Sequence, residues 1–68
     1  MIVREIIDKF IYPDVQHIQI WADDRNEVVF DGYCGNLSEN MKEAEISSID
    51  NIGENNNGVI CLNVWSID

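Results

Sequence analysis

The chain reads as an α+β domain, with an N-terminal amphipathic helix packed on a three- or four-stranded antiparallel sheet and a short second helical turn. Three observations predict this. Apolar residues recur at helical spacing near the N-terminus, two later stretches alternate apolar with polar residues, and polar turn-forming clusters separate these segments. With 68 residues, 46% hydrophobic and 25% charged, the composition suits one folded domain over residues 1–68 and not a disordered tail. A chain this short buries only about 60% of the surface its unfolded form exposes. Domains of this size therefore often gain stability from a metal, a disulfide or self-association.

In residues 2–11, Ile2, Val3, Ile6, Ile7 and Phe10 share one helical face, opposite Arg4, Glu5, Asp8 and Lys9. Tyr12-Pro13-Asp14 is expected to end that helix, because the residue before proline is pushed out of the helical region. Residues 15–23 alternate, with Ile18, Ile20 and Ala22 on one face and His17, Gln19 and Trp21 on the other, as in a half-buried strand. Asp24-Arg25-Asn26 suits a hairpin loop, with Asn26 taking the left-handed conformation, and residues 27–34 form the return strand. Pairing Asp23 with Glu27 sets Ile20 against Phe30, Ala22 against Val28 and Ile18 against Gly32. Both apolar sets then fall on one face. Trp21 would stand beside Val29, Gln19 beside Asp31 and His17 beside Tyr33 on the other.

Gly35-Asn36 breaks the strand, and Ser38 can cap a helical turn through Glu43. Residues 45–50 predict a weaker strand with a bulge, since Ile46 and Ile49 are out of alternation. Residues 53–58 read as a loop. Residues 59–65 close the chain as a strand with Ile60, Leu62 and Val64 on one face, and Val59, Cys61, Asn63 and Trp65 on the other. The helix should cover the face built by Ile18, Ile20, Phe30, Ile60, Leu62 and Val64.

Thirteen Asp and Glu against four Lys and Arg give a net charge of −9. Direct nucleic-acid binding needs a basic stripe to neutralise phosphates, and Arg4, Lys9, Arg25 and Lys42 are too scattered to form one. The same charge attracts basic protein surfaces, although it also serves solubility alone. The first residues carry acids where a signal peptide needs an apolar stretch, and no apolar run nears the ~20 residues of a membrane helix. A cytoplasmic chain that does not engage membranes is the expectation, with Cys34 and Cys61 as reduced thiols.

Catalysis is not expected. The single His has no nucleophile motif beside it, and no phosphate-cradling glycine loop exists. A structural zinc at Asp14, His17, Cys34 and Cys61 is the cofactor candidate, because these are zinc's ligand types and the hairpin brings His17 near Cys34. No C-x-x-C or H-x-x-H pair supports it, and a core Cys34, a free Cys61 and a His17 resting on Tyr33 account for the same residues. Trp21, Tyr33, Val29 and Trp65 gather on the face away from the helix, near Asp23, Asp24, Glu27 and Asp31. Large aromatics within a polar rim suit a partner-binding surface; a homodimer interface or intramolecular packing are the alternatives.

Arg4-Glu5-Ile6-Ile7-Asp8, Tyr12-Pro13-Asp14, Ile18-Gln19-Ile20, Val28-Val29-Phe30-Asp31-Gly32 and Ile46-Ser47-Ser48-Ile49-Asp50 span most of the chain. Through them it resembles short acidic proteins of phages and mobile elements of Gram-positive bacteria, a group that includes type II anti-CRISPR inhibitors. The resemblance implies a class of partner and no particular site residues. That partner is a type II CRISPR effector nuclease, which holds its heteroduplex in a positively charged channel where an acidic protein would block nucleic-acid loading.

Overall fold

The computed structural model describes residues 1–50 and 58–67. Four strands, β1 (His17–Ala22), β2 (Glu27–Tyr33), β3 (Ile46–Asp50) and β4 (Ile60–Val64), form one sheet in the order β2-β1-β4-β3. Helices α1 (Val3–Ile7) and α2 (Glu39–Lys42) and two single 3-10 turns, Pro13–Val15 and Cys34–Asn36, complete the described elements. The fold is α+β as expected, but the sheet is mixed. β1 pairs antiparallel with β2 and β3 antiparallel with β4, whereas β1 and β4 run parallel. The all-antiparallel sheet expected does not form, because the apolar faces of β1 and β4 match in parallel register. β4 lies between β1 and β3, and its parallel register sets Ile18 beside Ile60, Ile20 beside Leu62 and Ala22 beside Val64. One apolar row thus crosses the two central strands.

That row is the floor of the core. Ile18, Ile20, Ala22, Leu62 and Val64 are all fully buried, and Val3 of α1 meets them from above. Ile7, Cys34, Leu37 and Ala44 close the sides, with Ile6, Phe10, Val29, Phe30, Met41, Ile46 and Ile60 packed against them. Both helices therefore belong to the layer over one sheet face. Arg4 ties them together by reaching the carboxylates of Glu39 and Glu43, and Glu39 also pairs with Lys42 at 3.6 Å.

α1 is shorter than the helix expected over residues 2–11. Asp8 is its C-cap, and the chain leaves through bonds from Lys9 N–H to Ile6 O and from Phe10 N–H to Ile7 O. Isolated short helices are marginal, and three of the five helical residues, Val3, Ile6 and Ile7, are β-branched. The helix stops at Ile7, well before Pro13, and Phe10 packs on the core from beyond its end. At its start Glu5 Oε1 accepts the Ile2 N–H at 3.0 Å, since the Ile2 side chain offers no acceptor.

The hairpin follows the expected register from His17–Tyr33 through Ile20–Phe30 and then shifts. Trp21 pairs with Val28 and Ala22 with Glu27, leaving Val29 as the extra residue of a bulge in β2. Val29 turns toward the core and Val28 outward, reversing their expected sides. Asn26 has φ 54°, the left-handed conformation expected of it, and its N–H bonds Ala22 O at 2.8 Å. Ser38 caps α2 by accepting the Met41 N–H at 3.3 Å. β3 carries the expected irregularity, with Ser47 the extra residue between Ile46 and Ser48. The loop expected over residues 53–58 lies outside the described residues, apart from Gly58.

Among the described residues no helix is long and apolar enough to cross a membrane.

A candidate binding face on the open side of the sheet

The second sheet face has no helix over it among the described residues. Alternation along each strand and the pairing between strands define its rows. One row crosses all four strands as Asp31, Gln19, Cys61 and Asp50; the next crosses as Val28, Trp21, Asn63 and Ser48. His17 and Tyr33 stand side by side at the end of β1 nearest the N-terminus. None of these ten residues is buried, and none is Lys or Arg. Arg4 and Lys42 are engaged on the helical side, and Arg25, at the hairpin tip, donates to Ile67 O at 3.2 Å.

Tyr33 is 53% exposed, and its ring centroid lies 5.5 Å from that of His17 with the planes tilted by 50°. The His17 Nε2 donates to Asp31 Oδ1 on the neighbouring strand, which fixes the proton of a neutral ring on that nitrogen. Hydrogen bonds from His17 first and then from Gln19 hold the Asp31 carboxyl below its ordinary range, so it faces solvent as a carboxylate. Trp65 continues the outward alternation of β4 and is 58% exposed. Its carbonyl accepts the Asp24 N–H at 3.1 Å, which ties it to the acidic hairpin tip.

The expected binding residues thus divide into groups. Trp21, Asp31 and Tyr33 lie on the open face, with Trp21 half-buried at its centre. Trp65 and Asp24 adjoin it at the hairpin end. Asp23 is exposed, but its Oδ2 accepts the Ser47 hydroxyl at 2.8 Å, so this carboxylate also secures the edge strand β3. Glu27, opposite Ala22, falls in the alternation of the helical face and not with the others. Asp50 was not singled out by the sequence, because only the β3–β4 pairing puts it in the row with Asp31.

The four zinc candidates are not brought together. Among the described residues no three His, Cys, Asp or Glu side chains are grouped to hold a metal ion. Gln16 O does accept the Cys34 N–H at 2.9 Å, so the backbone pairing at that end is as expected. Cys34, however, turns into the core at 2% exposure, near Asp14, while His17 and Cys61 face the open side. Burial raises both thiols above their ordinary range, with Asp14 adding to the effect at Cys34, and Asp50 and then Asp31 at Cys61. The Cys61 thiol rests against Gln19 Oε1 at 3.8 Å.

No pocket is formed among the described residues, so the open face presents a surface and not a cleft. Compared with known proteins, the chain matches no family model, no curated protein and no solved structure.

Proposed function

We propose that this chain is a small acidic binding protein, not an enzyme, that docks its open sheet face on a basic surface of a nucleic-acid-handling protein and blocks nucleic-acid loading. The observation that carries this reading is a four-stranded face with Trp21, Val28 and Tyr33 among Asp31 and Asp50, free of Lys and Arg. Exposed aromatic and apolar side chains supply contact area, while the net charge of −9 accelerates encounter with a cationic surface. Acids with no Lys or Arg among them on this face disfavour its pairing with a second copy, since like charges repel across an interface. A type II CRISPR effector nuclease is the partner to try first, on the strength of the sequence resemblance and of its positively charged channel.

Immobilised protein incubated with such a nuclease, loaded and unloaded with guide RNA, tests the proposal. Capture should weaken steadily as salt rises, because surface charges are screened beyond about 10 Å at 0.1 M. Tyr33→Ala combined with Trp65→Ala should reduce affinity by about thirtyfold, the loss expected of two interface aromatics worth roughly 1 kcal/mol each. Binding that ignores both salt and these substitutions would sink the proposal.

A further inference from the structure

The open face carries finer chemical information than negative charge. Tyr33 and Asp31 are two residues apart on β2, so they project from the same side of the sheet, roughly 7 Å apart. The tyrosine ring is exposed, and the carboxylate beside it is oriented by His17. That bond and one from Gln19 occupy two acceptor sites of a group with about four, leaving room for further donors.

We propose that the open face selects arginine over lysine, a guanidinium lying against the exposed Tyr33 ring while donating to the Asp31 carboxylate. The inference rests on the basic-partner reading and names the chemistry of the partner. A guanidinium is planar and weakly hydrated, with five N–H donors, so it can stack on an aromatic face and donate in its own plane to a carboxylate. An ammonium is a compact, strongly hydrated charge that must give up water to approach a ring and offers no plane to stack. On a flat surface without a pocket, the shape of the cation decides how much contact it makes. His17 already touches both groups, but Tyr33 remains 53% exposed and the face holds no Lys or Arg of its own to compete.

Two fluorescein-labelled peptides of equal length and charge, one with four Arg and one with four Lys separated by Gly-Ser, test this by polarisation at low salt. The arginine peptide should bind about fivefold more tightly, as a solvent-exposed cation–aromatic contact implies. Tyr33→Phe should retain the preference, and Tyr33→Leu and Asp31→Asn should each abolish it. Amide shifts on binding should fall on β1 and β2 around His17, Asp31 and Tyr33. Equal affinity for the two peptides overturns the arginine preference while leaving the basic-partner reading intact. Shifts confined to α1 and α2 overturn the assigned location. Binding of neither peptide overturns this inference together with the reading beneath it.

Discussion

At the scale of single residues, backbone conformation and local charge make separate demands. Asn26 at φ 54° occupies a region that costs most L-residues about 1 kcal/mol and costs Gly little. Asn26→Gly should leave the urea midpoint nearly unchanged, whereas Asn26→Ala should lower stability by about 1 kcal/mol. The Asp31 carboxyl is held below its ordinary range chiefly by His17. Because its folded value is depressed, its contribution to stability is full above the unfolded value near 4. That contribution is lost as pH falls through the folded value. NMR titration of the Asp31 carboxyl should give a low midpoint that His17→Ala moves upward; an unmoved midpoint removes the pair from the account. The thiols behave in the opposite sense. Burial raises both, so each is a protonated, slow nucleophile at neutral pH. Iodoacetamide should therefore modify half-buried Cys61 before core Cys34, as peptide mapping would record.

At the scale of elements, local patterning carried much of the outcome and non-local pairing carried the remainder. Alternation in residues 17–22 set the buried side of β1, and it also fixed the hairpin register as far as Ile20. The shift beyond that point was not legible. Val28-Val29-Phe30 is a continuous apolar run, and no polar partner marks which valine faces out. The end of α1 was misplaced because Pro13 is a visible stop, whereas weak propensity in a short helix leaves no single residue to point at. Ser38 was legible because capping is a local rule. Its loss in Ser38→Ala should cost about 1 kcal/mol. Among strands, the central pair should be least tolerant. Ile20→Ala or Leu62→Ala should each cost about 2 to 5 kcal/mol by denaturant unfolding, since both side chains are fully buried. A chain of this length has only about 3 to 10 kcal/mol in total, so either substitution should leave a substantial unfolded population.

At the scale of the molecule, the sheet separates two tasks. Its helical face buries the apolar residues, and its open face gathers side chains that take no part in that core. The aromatic members of the open face, Trp21 and Tyr33, were legible from alternation. Asp50 and Cys61 required the strand order, which no local pattern encodes. The four zinc candidates stand apart for a different, local reason: His17 lies beside Tyr33 on the open face, so alternation turns the next residue, Cys34, to the other side of the sheet. The parallel junction at the centre has a further, kinetic consequence. Gln19 and Cys61, neighbours across that ladder, are 42 residues apart in the chain. During synthesis the inner edge of β1 must therefore stay without its partner until residues 60–64 have left the ribosome. Closing so long a loop before any of its bonds repay the entropy makes this a slow step. A nascent chain halted before residue 60 would present an unpaired apolar strand, the form of the molecule most exposed to aggregation and to proteases.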